Sequence, residues 1–513
     1  MFRSLRSLVV VLMFCIRELI IMHKYIMSID AGTTSVRCIL FDKHRQPVSV
    51  AKREISIFYP EDGWVEQDPE EIWSFTMGAI TEALTQIGAK PEEIDSIAIA
   101  NQRETTILWD SLTGKPVYRA IVWQCRRTAA FCHDLKERGY APTILSKTGL
   151  VVDPYFCASK IRWILDNVPE SKELLDAGRL MFGTVDCWLM WNLTGGKNHV
   201  TDCTNASRTM LYNIHSMEWD KDLIDLFGLS KVVLPQVLSC ASNFGVANIW
   251  QLNRPIPICG VAGDQQAALF GEECFSPGDV KNTYGTGGFL LMNTGKTPVN
   301  STKGLITSIA WQIGEDVSYC LEGSVFVAGA AIKWLRDKVG LIEKAGDTEE
   351  IALKAGNNGG CYLVPAFSGL GAPYWDPSAR GVIVGLTGDT DSGHIVRATL
   401  ESLAYQVQDV LSAMEQDSGY NITALKADGG AADNKFLLQF QADISNVPVS
   451  KPLCVETTAL GAAMFAGLFT GFYDLTQFKS EVEKEFKPTI DQDTREKMLS
   501  GWHKAVVRAK GWS

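Results

Sequence analysis

Residues 29–35 are the first stretch of the chain that could do chemistry, because they combine a carboxylate, a glycine and three hydroxyls. Apolar residues flank the stretch on both sides, which predicts a β-hairpin that turns at Gly32. Backbone N–H groups at such a turn suit phosphate oxygens, as do the hydroxyls of Thr33, Thr34 and Ser35. Mg²⁺ is usually held by one or two carboxylates together with substrate phosphates, so Asp30 is a candidate magnesium residue. The pattern is also typical of a polar hairpin that binds nothing, and these residues alone leave both interpretations open.

A second group of residues suits a small polyol. Arg103 and Glu104 follow the apolar run at residues 94–100, and Trp123 follows the next apolar run. A polyol offers hydroxyls and CH₂ groups, so its site needs a donor such as Arg103, an acceptor such as Glu104 and an apolar wall such as Trp123. A buried ion pair and a core tryptophan would explain the same residues without a ligand.

A carboxylate and an amide, Asp264 and Gln265, follow a third apolar run that ends in glycine. A carboxylate within hydrogen-bond reach of a substrate hydroxyl can take its proton, so Asp264 is a candidate general base. Aspartate is also a favoured N-cap of helices, and small residues that predict a helix follow directly. Residue types alone support the two roles equally.

Glycine-rich turns recur in the second half of the chain. Residues 279–289 predict a strand, a turn centred on Thr286 and a second strand, which would make another phosphate hairpin facing the first. Gly329 opens a predicted helix, and Gly430 belongs to a Gly-Gly turn between a strand and a helix. Glycines at such turns let the backbone approach a flat or charged ligand.

The elements that must position these residues alternate between strands and helices. A third strand is predicted after the first hairpin, followed by a helix that Asp68 caps and Pro69 opens. At the end of the chain, the apolar spacing predicts a packed amphipathic helix with Trp502, Val506 and Val507 on its buried side.

Composition limits the classes of function. The chain has 513 residues, 46% of them hydrophobic, which is enough for two or three domains. Its net charge of −11 argues against nucleic-acid binding, which normally needs a basic patch. The 13 cysteines are scattered singly, which indicates neither a disulfide framework nor a zinc site and favours a reducing, cytoplasmic compartment.

The N-terminal segment at residues 1–21 contains nine apolar residues in a row, whereas a bilayer span takes about 20. No stable membrane insertion is expected. Two interpretations remain, since Met22 is an alternative start: an upstream translation without structural meaning, or an extension that touches a membrane.

Several segments, in this order, resemble the FGGY carbohydrate kinases of the actin, Hsp70 and sugar kinase superfamily, and within them the members that phosphorylate glycerol. The segments are residues 30–37, 101–106, 123–128, 153–166, 256–268, 279–289, 381–401 and 427–435. The resemblance implies an α/β fold with two ribonuclease-H-like, actin-type ATPase domains around a central cleft. Residues 22–271 would carry the glycerol site and the first phosphate loop, and residues 272–513 the second phosphate loop and the adenosine site. Ala31, Cys157 and Lys333 depart from the residues usual in the family.

The resemblance implies that ATP and Mg²⁺ act with glycerol as the phosphoryl acceptor, and that Asp264 is the base. By matching position, Asp30 would hold Mg²⁺ through water. The implied glycerol contacts are Arg103, Glu104, Trp123, Tyr155, Asp264, Gln265 and Phe289. The implied ATP contacts are Thr33, Thr34, Ser35, Arg37, Thr286, Gly329, Lys333, Gly430 and Asn434. The family also leads us to expect a homodimer or homotetramer.

Three alternatives remain open. The chain could be an FGGY kinase for a ketopentose or an aldonate, an actin-like or chaperone-like ATP switch, or a kinase-derived regulator without catalysis. Residues 234–256 lack the glycine-rich loop and the histidine through which some bacterial relatives are regulated by fructose 1,6-bisphosphate or phosphorylation. We therefore expect neither control in those forms.

Overall fold

The computed structural model describes residues 23–474, 476, 478 and 481–512. The expectations about residues 1–21 lie outside the described residues. The strands, in chain order, are β1 (Tyr25–Ala31), β2 (Ser35–Phe41), β3 (Pro47–Glu54), β4 (Glu66–Gln67), β5 (Ile94–Asn101), β6 (Ile107–Asp110), β7 (Ala120–Ile121), β8 (Leu180–Gly183), β9 (Val200–Asp202), β10 (Tyr212–Asn213), β11 (Glu218–Trp219), β12 (Gln236–Leu238), β13 (Ala241–Ala247), β14 (Ile256–Gly263), β15 (Val280–Tyr284), β16 (Gly288–Gly295), β17 (Ile306–Ile313), β18 (Asp316–Val325), β19 (Tyr362–Val364), β20 (Val382–Val384), β21 (Leu425–Asp428), β22 (Val449–Pro452) and β23 (Val482–Phe486).

One mixed sheet of 13 strands runs through the molecule in the order β23-β22-β21-β15-β16-β18-β17-β13-β14-β5-β1-β2-β3. The same local order occurs twice, as β3-β2-β1-β5-β14 and as β18-β16-β15-β21-β22. In each copy the first three strands are antiparallel neighbours, and the next two join in parallel. This repeat is the arrangement expected of two ribonuclease-H-like units.

The two halves of the sheet meet where β13 lies beside β17, with Ala241 opposite Ile313. A helix that follows β22, Thr457–Thr470, packs against β1, β5 and β14 of the first half and against the helix Asp264–Gly271. The two helices touch through their backbones, because a Cβ on Gly461 would lie 1.8 Å from the carbonyl oxygen of Ala267. Small residues at the start of the helix after Asp264 therefore allow tight packing, as the sequence indicates.

Helices cover the sheet and begin and end where local residues dictate. Asp68 accepts a hydrogen bond from the backbone N–H of Glu70 at 2.9 Å, and Pro69 is the first helical residue, as predicted. The α-helices are Pro69–Ile87, Ala129–Glu137, Ala141–Thr148, Cys157–Asn167, Pro169–Asp176, Val185–Leu193, Cys203–Ala206, Lys221–Leu226, Asp264–Gly271, Gly329–Trp334, Asp347–Ala355, Ser392–Ser418, Lys435–Ser445, Thr457–Thr470 and Gln492–Ala509. Among the described residues, no helix is both long and apolar enough to cross a membrane.

The C-terminal segment differs from the prediction in two respects. Trp502 and Val506 are buried in the helix Gln492–Ala509, but Val507 is 69% exposed, so its predicted place on the packed face is wrong. Successive residues are rotated by about 100° around a helix axis, so Val507 points to solvent although Val506 packs against the protein. The edge strand β23 was not predicted, because three of its five residues are charged and lie in a row.

Candidate active site

The candidate catalytic residues lie at or just after the carboxyl ends of three neighbouring parallel strands. Strand β5 lies between β1 and β14, with Ala100 opposite Asp30 and Asn101 opposite Gly263. Because the carboxyl ends of the three strands meet at one edge of the sheet, Asp30, Arg103 and Asp264 come together there.

Asp264 is the first residue of its helix, and Gly263 occupies the N-cap position without a side-chain cap. The capping role that the sequence left open therefore does not apply. Oδ1 of Asp264 accepts a hydrogen bond from the backbone N–H of Gln265 at 2.7 Å and lies 3.2 Å from Nε of Arg103. Burial raises the pKa of Asp264, although the charge of Arg103 opposes this. The side chain keeps 26% of its surface exposed, so it remains accessible to a ligand.

Arg103 and Glu104 belong to a buried ionic network that links both halves of the molecule. Glu322 on β18 accepts from both terminal nitrogens of Arg103, at 2.5 and 3.2 Å, and from Arg208 at 3.1 Å. Arg208 also donates to Glu104 at 2.6 Å. Burial alone would raise the pKa of Glu322, but the charges of Arg103 and Arg208 outweigh it and hold the pKa at about 2.

This network shows what the sequence missed. Neither Arg208 nor Glu322 was identified from the sequence as a site residue, although an acid such as Glu322 inside a largely buried strand was a usable signal. The ion-pair explanation of Arg103 and Glu104 is also partly right, because both are paired. Their close partners are Glu322 and Arg208, whereas Nε of Arg103 lies 3.9 Å from Oε1 of Glu104.

Three aromatic side chains form a wall beside this network. The rings of Trp123 and Tyr155 are 5.4 Å apart, and those of Trp123 and Phe289 are 6.0 Å apart, both edge to face. The hydroxyl of Tyr155 accepts a hydrogen bond from Arg103 at 3.3 Å. Phe289 lies on β16, so the two halves of the molecule build the wall together.

The first phosphate turn is connected to this aromatic wall. Trp123 donates its indole N–H to the hydroxyl of Thr33 at 2.9 Å. Thr34 is exposed, whereas Ser35 is buried within β2. Arg37 does not point freely into the cleft, because its Nη1 lies 2.6 Å from a carboxylate oxygen of Glu456 in the second half.

The second turn rests on the helix that Gly329 opens. The carbonyl oxygen of Thr286 accepts from the backbone N–H of Ala328 at 2.9 Å and of Ala330 at 3.1 Å. A Cβ on Gly329 would lie 2.7 Å from the carbonyl oxygen of Gly285. Contact with the protein backbone is therefore sufficient to require glycine at position 329.

The predicted adenosine residues fall into distinct environments. Gly429 has φ +88°, and a Cβ there would lie 2.6 Å from the carbonyl oxygen of Tyr284, whereas a Cβ on Gly430 would meet no described atom within 4 Å. Asn434 caps the helix Lys435–Ser445 by accepting from the N–H of Leu437 at 2.9 Å. Lys333 is exposed.

Asp30 fits the ligands that Mg²⁺ prefers. Burial raises its pKa to about 7; the charge of Arg37 opposes the rise, and the carboxylates of Asp264 and Glu456 add to it. A cation near Asp30 would relieve this unfavourable burial of negative charge. The carboxylate and the adjacent hydroxyl-rich turn therefore suit a hydrated divalent cation that also binds phosphates.

One other group of possible metal ligands occurs among the described residues, namely Asp202, Cys203 and Cys240. The sequence did not predict this group. The carboxylate of Asp202 already accepts hydrogen bonds from the backbone and side chains of Thr204 and Asn205. Burial raises the pKa of both thiols, so the group is better suited to holding the start of a short helix than to binding a cation.

Comparison with known proteins places these features in a family. Residues 25–271 match the N-terminal domain of the FGGY family of carbohydrate kinases, and residues 280–469 match its C-terminal domain. A glycerol kinase from Carboxydothermus hydrogenoformans is 56% identical over 494 residues, which cover 95% of this chain and 99% of the relative. A glycerol kinase from Symbiobacterium thermophilum is 54% identical over 493 residues, with the same coverage of 95% and 99%.

Solved structures agree with the architecture. The crystal structure of Plasmodium falciparum glycerol kinase with ADP has a TM-score of 0.88 at 37% identity, covering 94% of this chain and 98% of that one. A gluconate kinase from Lactobacillus acidophilus shares the fold at 24% identity, with a TM-score of 0.83 and coverage of 94% and 97%. The predicted α/β fold with two actin-type units is confirmed.

Proposed function

The chain belongs to the FGGY family of carbohydrate kinases, and from this premise we propose that it transfers the γ-phosphoryl group of ATP to glycerol, forming sn-glycerol 3-phosphate. One observation carries the proposal: the carboxylate of Asp264 lies 3.2 Å from Arg103 at a strand edge that also presents the aromatic wall and the first phosphate turn. The relatives above 50% identity, which are named glycerol kinases, support the choice of substrate.

Glycerol would bind between the ionic network and the aromatic wall. Arg103 and Glu104 would donate to and accept from its hydroxyls, with Tyr155 and Gln265 completing the polar contacts. Trp123 and Phe289 would cover its CH₂ groups. Glu322 and Arg208 already hold Arg103 and Glu104, so little side-chain freedom would be lost when the substrate binds.

Asp264 would accept the proton of the terminal hydroxyl of glycerol. The hydroxyl oxygen would attack the γ-phosphorus of ATP, and the bond from that phosphorus to the oxygen that leaves with ADP would break. The raised pKa of Asp264 moves this base towards the neutral range in which proton transfer is effective. The phosphoryl group would be stabilised by Thr33, Thr34 and Thr286 of the two turns and by Ser35 and Arg37 of β2. Positioning and charge stabilisation supply most of the rate in such transfers.

Asp30 would hold Mg²⁺ through a water molecule. When bound, Mg²⁺ neutralises phosphate charge. Adenosine would lie against Gly329, Lys333, Gly430 and Asn434, with residues 22–271 and 272–513 as the two domains. We extend the proposal to a homodimer or homotetramer that works in the cytoplasm.

The test is ADP release with MgATP and glycerol, a ketopentose or an aldonate, for the wild type and for Asp264→Asn. We expect turnover that depends on glycerol and falls by about 10²-fold or more in the variant, because the amide keeps the shape but cannot take a proton. Turnover with a sugar alone would overturn the substrate assignment. ATP hydrolysis indifferent to all three acceptors would support a switch instead of a kinase.

A further inference from the structure

Lys281 is a buried cation next to the proposed glycerol site. It lies on β15, its side chain is fully buried, and Nζ donates to Oε1 of Gln265 and, at 2.8 Å, to the hydroxyl of Thr283. The family resemblance that assigned Gln265 to the substrate assigned no role to Lys281. Burying a lysine in the middle of a strand costs free energy unless the lysine is paired, so the partners of Lys281, among them Gln265, indicate why it is there.

The contact determines which end of the Gln265 amide is left for a ligand. An ammonium group has three donors and no acceptor, so only the amide oxygen can face Lys281. The NH₂ end must then point away from Lys281, and within the described part of the chain no acceptor is hydrogen-bonded to it. Gln265 directly follows Asp264, whose carboxylate is partly exposed, and a donor beside the proposed base is suited to the oxygen of a substrate hydroxyl.

Buried carboxyl groups around Lys281 favour its charged form, against the effect of burial. Burial lowers the pKa of Lys281, and the nearby carboxyls of Asp428, Glu272 and Asp264 counter that effect. Lys426 reaches the other side of the same cluster, where Nζ lies 3.1 Å from the carbonyl oxygen of Glu273. Lys426 does not contact Gln265, so it offers a matched control.

We propose that Lys281 is a positioning residue, which holds the Gln265 amide so that its NH₂ group donates to one hydroxyl of glycerol. This inference rests on the proposed function. The contacted hydroxyl would then determine specificity, because an analogue without this hydroxyl would leave the NH₂ group of Gln265 unpaired.

The experiment measures KM and kcat of Lys281→Met, Gln265→Ala, Gln265→Glu and the double variant of Lys281→Met with Gln265→Ala. The substrates are glycerol, propane-1,2-diol and propane-1,3-diol, each diol lacking one hydroxyl. We expect Lys281→Met to raise the KM for glycerol about tenfold, with a smaller change in kcat, and not to raise it for the diol that lacks the contacted hydroxyl. The double variant should be no worse than Gln265→Ala, because Lys281 acts through Gln265.

Gln265→Glu keeps an oxygen for Lys281 but loses the NH₂ donor, so it tests the same contact without removing the lysine. It should raise the KM for glycerol as Gln265→Ala does, even if Lys281→Met fails to fold. Lys281→Arg should retain a KM near that of the wild type, and so should Lys426→Met. A KM for glycerol unchanged in Gln265→Glu, or raised equally for all three substrates in Lys281→Met, would overturn the proposal. A wild type that does not use glycerol would instead contradict the proposed function itself.

Discussion

The two halves of the sheet share one strand order, but the edges where their strands end carry different chemistry. In the first half, β1, β5 and β14 lead into Asp30, Arg103 and Asp264. In the second half, β15 and β21 lead into glycine turns at residues 285–288 and 429–430. The first edge works through side-chain charge and the second through backbone shape. Topology therefore creates the edge, and the residues after each strand decide its chemistry.

The second half does contribute charges, but from within its strands. Glu322 on β18 pairs with Arg103, and Lys281 on β15 donates to Gln265. Both side chains are buried and reach residues of the first edge. The charged edge is therefore held from the opposite half, which ties the substrate site to the packing between the two halves.

Apart from the loss of the base Asp264, the largest effect should come from removing charge at the first edge with Asp30→Asn. We expect the Mg²⁺ concentration for half-maximal turnover to rise by about 10- to 100-fold, because a group that orients the hydrated ion is lost. A Mg²⁺ titration of ADP release measures this. Asp316→Asn, which changes a solvent-exposed carboxylate on β18, should leave the titration unchanged. Equal Mg²⁺ titrations for Asp30→Asn and the wild type would show that the charge of Asp30 does not contribute to Mg²⁺ binding at this edge.

The second edge should respond to shape alone. Gly429→Ala should lower the free energy of unfolding by about 1–3 kcal/mol, because alanine disfavours the positive φ and its Cβ would press on Tyr284. Gly430→Ala is the matched control, since its Cβ meets open space. We expect it to keep stability and to raise the KM for ATP. Denaturant unfolding of both variants measures the two losses of stability. Equal losses would contradict the distinction between the two glycines.

A smaller effect should follow from cutting the link between the aromatic wall and the first phosphate turn. Trp123→Phe keeps an aromatic ring but loses the donor to Thr33, a contact of about 0.5–1.5 kcal/mol. We expect kcat/KM to fall severalfold for both glycerol and ATP, because one hydrogen bond joins the two sites. A change confined to glycerol would mean that the wall and the turn act separately.

The smallest effect should come from the contact between the halves at Arg37 and Glu456. This pair is partly exposed, and such pairs contribute about 0–1 kcal/mol, so Glu456→Gln should barely change thermal stability. It should lower the KM for ATP slightly, because Arg37 would be freer to meet phosphate. A large loss of stability would instead mean that the second half holds the first edge through Arg37 as firmly as through Arg103.

Local features of the fold were predictable because they depend on neighbouring residues. Asp68 and Pro69 start a helix where expected, and the glycines of residues 285–288 lie between two strands. The prediction for Val507 was wrong because the spacing of apolar residues along a helix does not determine the width of its contact face. The edge strand β23 was missed because its pairing with β22 depends on a distant part of the chain.

The sequence by itself determined the strand ends, the glycine turns and the order of motifs, and through them the family and the candidate residues. Only the tertiary structure decided how those residues are held. Arg103 and Glu322 are 219 positions apart, and Arg208 and Glu104 are 104 apart, yet each pair is in direct contact. The partner of a buried charge depends on which strands pack together, and no local pattern records that pairing. For the same reason, the place of Lys281 behind Gln265 became visible only once the two halves of the sheet were joined.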